Sequence, residues 1–93
     1  MTPTAGPSFQ RNSELLSEEL GDGLLLLDLS GSRVMELNRN AARLWRRLER
    51  PASVDQLVEL LAGVHPNTDR TALTRDVSDF LRAAQAAGAV TES

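Results

Sequence analysis

Hydrophobic and polar positions change their spacing near the middle of the chain. Over residues 14–37 the apolar positions alternate with polar ones or form short runs bounded by glycine, which is typical of strands. From residue 38 onward they recur every three or four positions, which is typical of helices that face a core. The pattern therefore predicts strands in the first half and helices in the second.

Three strands are predicted in the first half. Residues 24–27 are consecutive leucines between turn residues and indicate a buried strand. Residues 33–37 alternate, and residues 29–32 make a loop of about four residues, a common hairpin length. Residues 14–20 fit a strand by alternation or a helix by the spacing of Leu16 and Leu20. A strand in this segment would complete an antiparallel meander.

The first predicted helix follows residues 33–37 directly. Asn38 provides a side-chain oxygen for its N-cap, and Pro51 ends it. Its apolar side is Ala41, Leu44, Trp45 and Leu48, whereas its arginines fall on the opposite side. We expect Trp45 to anchor the core under the sheet.

Two further helices are predicted after Pro51. Residues 53–56 form a capping box for the second helix, which Gly63 is expected to end. The third helix begins near Asp69, and Gly88 suits the position beyond its end, with Val90 as the hydrophobic partner of that stop. The single histidine, His65, lies in the loop between them, where no ligand or catalytic role is assigned to it.

These elements predict an α+β fold: a three-stranded antiparallel sheet followed by three helices, with a winged helix-turn-helix-like core. The 93 residues suffice for one domain. Residues 1–8 contain two of the four prolines and are predicted to be a disordered N-terminal arm, which leaves residues 9–93 as the domain. This topology leaves the function open.

Composition excludes several functional classes. The chain has no cysteine and one histidine, so disulfides, thiol chemistry and the common zinc sites are excluded, and no metal or cofactor is expected. No apolar run approaches the roughly 20 residues that span a bilayer, and the N-terminus lacks the regions of a secretion signal. We therefore expect a cytoplasmic protein without a membrane partner.

Two functional alternatives meet physical objections. A winged-helix transcription regulator would need a basic recognition helix, but the net charge is −3. The third helix sets Asp69, Asp76 and Asp79 against Arg70, Arg75 and Arg82. An enzyme that uses the acidic residues of segment 14–28 would need a pocket that separates their pKa values, and exposed strands offer none. We assign no catalytic residue and expect no nucleic-acid partner.

The sequence resembles PqqD-like proteins over about residues 14–90. The resemblance rests on Asp28 after the leucine run, Arg-Val-Met-Glu-Leu-Asn at 33–38, Ala42, Leu44, Trp45, Leu48 and Ser-Val-Asp-Gln-Leu at 53–57. One departure is Met35, where such proteins often have tyrosine, and it affects the shape of the pocket. The resemblance implies a strand for residues 14–20.

PqqD-like proteins are the precursor-recognition elements of ribosomal peptide modification pathways. The resemblance implies a non-catalytic protein that binds the leader of a precursor peptide and presents it to modifying enzymes. In a lasso peptide pathway the partners would be a leader peptidase and an ATP-dependent macrocyclase. The alternative is a peptide chaperone in a quinone-cofactor or other radical-SAM pathway.

In this interpretation the leader adds as a strand beside residues 33–37 and is held against the third helix. The predicted leader-binding residues are Arg33, Val34, Met35, Glu36, Leu37, Leu73, Asp76, Val77, Phe80, Leu81 and Ala84. Leu73, Val77 and Leu81 are also expected to serve as core. The arginine side of the first helix is either a solvated face or, through Arg39, Arg43 and Arg47, a docking surface for an acidic partner.

Overall fold

A computed structural model describes residues 7–92 of the chain. Its elements in chain order are β1 (Ser8–Arg11), β2 (Leu16–Leu20), β3 (Gly23–Leu27), β4 (Arg33–Leu37), α1 (Arg39–Arg47), β5 (Ala52–Ser53), α2 (Val54–Val64), α3 (Arg70–Ala86) and β6 (Val90–Glu92). The predicted arm lies outside the described residues except for its last two, and Ser8 belongs to β1. No helix in the described part is long and apolar enough to cross a membrane.

Strands β2, β3 and β4 form the predicted antiparallel meander with β3 in the centre. Gly21, at φ +60°, allows a two-residue connection from β2 to β3, because glycine enters this conformation at little cost. Leu24 and Leu26 of β3 are buried, and alternation turns Leu25 and Leu27 to the other side, where they are half-buried. The strand interpretation of residues 14–20 is confirmed for residues 16–20, which form β2.

Asp28 organises the hairpin loop between β3 and β4. Its Oδ1 accepts hydrogen bonds from the Ser30 hydroxyl at 2.6 Å and from the backbone N–H groups of Ser30 and Ser32, each at 2.9 Å. The Ser30 hydroxyl, followed by the Ser32 backbone, favours the charged carboxylate and lowers the pKa of Asp28. The Asp28 carboxylate therefore stabilises the turn, so this residue of the acidic segment 14–28 has a structural role.

The helix ends follow the predicted capping chemistry. Asn38 Oδ1 accepts from the Ala41 N–H at 2.9 Å and starts α1. Ser53 and Gln56 satisfy each other's backbone N–H groups at the start of α2. At the end of α3, Gly88 has φ +77°, and the following N–H donates to the Ala84 carbonyl, as in a Schellman motif. Local hydrogen bonds thus fix where each of these helices begins or ends.

Two details of the predicted architecture were wrong. Gly63 does not end the second helix, since α2 continues to Val64 and is capped by His65. The prediction also missed a second sheet of short strands, in which β1 lies between β5 and β6. Phe9 of β1 is buried and pairs with Ala52 on one side and Glu92 on the other. This sheet ties both ends of the described chain to the start of α2.

Trp45 lies in the core, as predicted, on the helix that packs against β3 and β4. The Arg11 guanidinium carbon lies 4.4 Å from the centre of the Trp45 ring, which is cation–π geometry. The indole therefore joins the meander, through α1, to the second sheet, through β1. Helices α2 and α3 pack against each other and complete the core. The predicted α+β class with three helices is confirmed.

Candidate functional site

Strand β4 is the edge of its sheet next to α1 and α3. Its only strand neighbour among the described residues is β3. Met35 pairs with Leu26 and Arg33 with Leu27, so Val34 is the extra residue of a bulge. The outer backbone groups of β4 are consequently available to another chain.

The backbone direction along β4 follows from Gly23. A Cβ at Gly23 would collide with the carbonyl oxygen of Leu37, so this carbonyl points toward β3. Neighbouring residues of an antiparallel strand turn their backbone groups to opposite edges. The N–H and C=O of Glu36 therefore point outward, away from β3.

A groove of about 360 Å³ runs beside this outer edge. It is lined by Met35, Glu36, Leu37, Asn38, Asn40, Ala41, Leu44, Leu61, Asp76, Asp79 and Phe80. Its floor includes buried apolar side chains from α1, α2 and α3, namely Leu44, Leu61 and Phe80. The groove thus combines unpaired strand backbone with an apolar floor.

The rim of the groove is acidic. Asp76 and Asp79 on α3 are exposed, and no arginine lines the groove. Asp79 has one cationic neighbour, Arg82, at 3.6 Å on the same helix. An exposed pair of this kind neutralises little of the local field. The rim therefore favours a ligand that carries a positive charge next to an apolar group.

A second, more open groove of about 790 Å³ continues past the end of β4. It shares four residues with the first groove and adds five: Leu20, Asp22, Gly23, Arg39 and His65. The Asn40 Oδ1 accepts from His65 Nε2 at 2.9 Å and from Arg43 Nη1 at 3.2 Å. His65 thus helps to hold the Asn40 side chain between the two grooves. The described residues contain no group of three or more His, Cys, Asp or Glu side chains that could hold a metal ion.

The structure brings five of the predicted site residues together around the first groove: Met35, Glu36, Leu37, Asp76 and Phe80. Arg33 and Val34 lie at the other end of β4, where Arg33 is exposed and Val34 half-buried. Four predicted residues on α3 are buried in the core instead of lining the groove: Leu73, Val77, Leu81 and Ala84. Their stripe faces the interior because α3 packs on α2 along it.

Sequence reasoning missed six groove residues: Asn38, Asn40, Ala41, Leu44, Leu61 and Asp79. Asp79 could have been found, because it follows Asp76 by three positions and so lies on the same helix face. The sequence gives no such indication for Leu44 and Leu61. The spacing of apolar residues identifies buried positions, but it does not distinguish the floor of the groove from the rest of the hydrophobic core.

The arginines predicted to dock a partner each have an intramolecular contact. Arg39 forms an exposed ion pair with Asp22 at 2.6 Å. Arg43 donates to Asn40, and Arg47 Nη1 donates to the Arg50 carbonyl at 3.2 Å. Arg39 is exposed and Arg43 and Arg47 are half-buried, so each side chain keeps part of its surface open to solvent or to a partner.

Comparisons with known proteins agree with this fold. No curated protein sequence matches the chain significantly. A solved structure described as TbiB1 in complex with the TbiA(beta) leader peptide has the same fold, with a TM-score of 0.72, 24% identity and coverage of 87% of this chain and 93% of that one. The family model for coenzyme PQQ synthesis protein D (PqqD) matches residues 23–90. The chain therefore belongs to the PqqD family.

Proposed function

We propose that this protein binds the leader of a ribosomally made precursor peptide in the groove between β4 and α3 and catalyses no reaction itself. The observation that supports leader binding most directly is the free edge of β4, which lies beside a groove with an apolar floor. An extended peptide would pair with the outward groups of Glu36 and extend the sheet. The leader peptide bound to TbiB1, which has the same fold, supports this proposal.

Leader selectivity would come from side chains, because backbone pairing carries little sequence information. An apolar leader residue would enter the groove over Phe80, while a neighbouring cation would meet Asp76 and Asp79. Arg33 and Val34 would continue the strand contact beyond the groove. The buried residues Leu73, Val77, Leu81 and Ala84 would act indirectly, by fixing the position of α3.

We propose a cytoplasmic role in a lasso peptide pathway, in which the bound precursor is presented to a leader peptidase and an ATP-dependent macrocyclase. The alternative is a peptide chaperone for a radical-SAM pathway. Both roles need the same leader-binding groove. The acidic rim disfavours nucleic acid as a ligand, because phosphates would meet the carboxylates of Asp76 and Asp79.

Glu36→Pro tests the strand-addition step. Proline removes the outward N–H of Glu36 and places its ring where the leader would lie, so we expect leader affinity to fall at least roughly tenfold. Glu36→Gln keeps the backbone donor and should change affinity by no more than about threefold. The measurement is a titration of each variant with the labelled leader of the precursor encoded beside the gene.

Circular dichroism and thermal unfolding serve as the folding control for both variants. A folded Glu36→Pro variant that binds leader as tightly as the wild type would rule out strand addition at this edge. Absence of leader binding by the wild-type protein would rule out the proposed function itself.

We also propose that the arginine side of α1, including Arg39, Arg43 and Arg47, docks an acidic surface of a modifying enzyme. Reversing Arg43 or Arg47 to Glu should lower the rate of precursor modification several-fold at low salt, and the difference should shrink as salt screens the charges. Arg75→Glu is the control, since it makes the same charge change on α3. Equal rates for all three variants at low salt would leave the arginines as a solvated face.

A further inference from the structure

The side of the meander turned away from the core carries an apolar surface. Leu16 and Leu20 of β2 are 54% and 47% exposed. Leu16 pairs with Leu27, and Leu25 lies two positions from Leu27, so these side chains share one side of the sheet. Neither Leu25 nor Leu27 packs against the core. We call Leu16, Leu20, Leu25 and Leu27 the outer leucine face.

The outer leucine face contains two of the four strongly exposed large hydrophobic residues in the described part of the chain. Leu29, in the hairpin loop between β3 and β4, is 72% exposed but borders Leu15 and is not counted in this face. Apart from these residues, Val64 is the one large hydrophobic residue that is strongly exposed in the described part of the chain. Contiguous exposed apolar side chains of this kind mark interaction sites in monomeric proteins.

Carboxylates accompany these leucines. Glu18 lies between Leu16 and Leu20 and pairs with Leu25, which pairs on its other side with Glu36. Strand β2 carries two glutamates, has no cation and is exposed at every residue. The complementary partner surface has an apolar centre flanked by arginine or lysine.

A second copy of this chain fits the surface poorly. Strand β2 is an edge, and antiparallel pairing with its own copy would bring Leu16 opposite Leu20 only if Glu18 faced Glu18. Like charges directly opposite each other destabilise a strand pair. The charge pattern therefore favours a different protein.

We propose that the outer leucine face and the β2 edge dock the enzyme that acts on the bound leader. This inference rests on the proposed function. Strands β2 and β4 are opposite edges of one sheet, so the enzyme and the leader would not compete for backbone. A leader strand beside β4 would extend the same side of the sheet and add its own side chains to the contact.

The enzyme would therefore bind the loaded domain more tightly than the empty one. By thermodynamic linkage, the enzyme would raise leader affinity by the same factor. Docking on this side also differs from docking on α1, because α1 packs against the core side of β3. Two enzymes of one pathway could thus occupy opposite sides of the sheet.

The test measures the affinity of the full-length protein for the purified leader peptidase of the same pathway, with and without saturating leader. Leu16→Ser combined with Leu20→Ser, and separately Glu18→Arg, should each weaken peptidase binding by roughly tenfold. Leader affinity in the absence of peptidase should stay within about twofold, since none of these residues lines the first groove.

Val64→Ser and Glu92→Arg are the matched controls, because both residues are exposed and belong to α2 and β6 and not to the meander. Peptidase affinity that is unchanged in the β2 variants, or lowered equally by the controls, would overturn the inference. A wild-type dimer that Leu16→Ser with Leu20→Ser dissociates would assign the face to a second copy. Failure of the wild-type protein to bind leader would instead contradict the proposed function.

Discussion

Gly23→Ala is expected to lower the free energy of unfolding by about 3 kcal/mol or more. The added Cβ would overlap the carbonyl oxygen of Leu37 and approach the Asn38 carbonyl carbon to 3.3 Å. Both are backbone atoms, so no side-chain rotation relieves the clash. Either β3 and β4 separate at this point, or the start of α1 moves.

The measurement is urea unfolding of Gly23→Ala beside Gly63→Ala. Gly63 lies on the exposed side of α2 with open space around its Cβ position, so alanine there should stabilise the protein by about 0.5–1 kcal/mol. A lower free energy of unfolding for Gly23→Ala and a higher one for Gly63→Ala would show that the close approach of backbone atoms at Gly23, and not the loss of a glycine as such, destabilises the protein. A Gly23→Ala variant within about 0.5 kcal/mol of the wild type would contradict this geometry.

The same contact links stability to the site. Leu37 is the last residue of β4, and Asn38 is the N-cap of α1, so the backbone that Gly23 touches also borders the groove. A destabilised Gly23→Ala protein should therefore bind leader less well even where it stays folded. The small size of Gly23 is a requirement of the groove as well as of the sheet.

Local chemistry explains which elements could be predicted from the sequence. Asn38, Ser53 and Gly88 act through hydrogen bonds to residues a few positions away, so their roles are visible in short windows. The second sheet has no such window. Its strands have two to four residues and come from the two ends and the middle of the chain. Tertiary packing alone brings them together.

The groove was predictable only in part for a similar reason. The edge strand, Asp76 and Phe80 follow from periodicity together with the resemblance to PqqD-like proteins. Periodicity also marks Leu73 and Leu61 as buried, yet only Leu61 borders the groove. That distinction depends on how α2 and α3 cross, which side-chain spacing within one helix does not encode.

Phe80→Ala is expected to reduce both stability and leader binding. Phe80 is almost fully buried and forms part of the groove floor, so its loss should cost about 3–5 kcal/mol of folding free energy. It should also weaken leader binding by roughly 30-fold or more, because an aromatic floor residue is a typical hot spot. The measurements are urea unfolding and a leader titration below the unfolding transition.

Phe9 provides the matched control, since it is equally buried but lies on β1 in the second sheet, away from the groove. Phe9→Ala should cost similar folding free energy while leaving the leader affinity of the folded fraction unchanged. The milder substitutions Phe80→Leu and Phe9→Leu should each cost about 1 kcal/mol of folding free energy and leave the protein folded. The leader affinities of these two variants should then differ by roughly tenfold. Equal leader affinities in the leucine pair would mean that Phe80 supports the core alone and that the leader binds elsewhere.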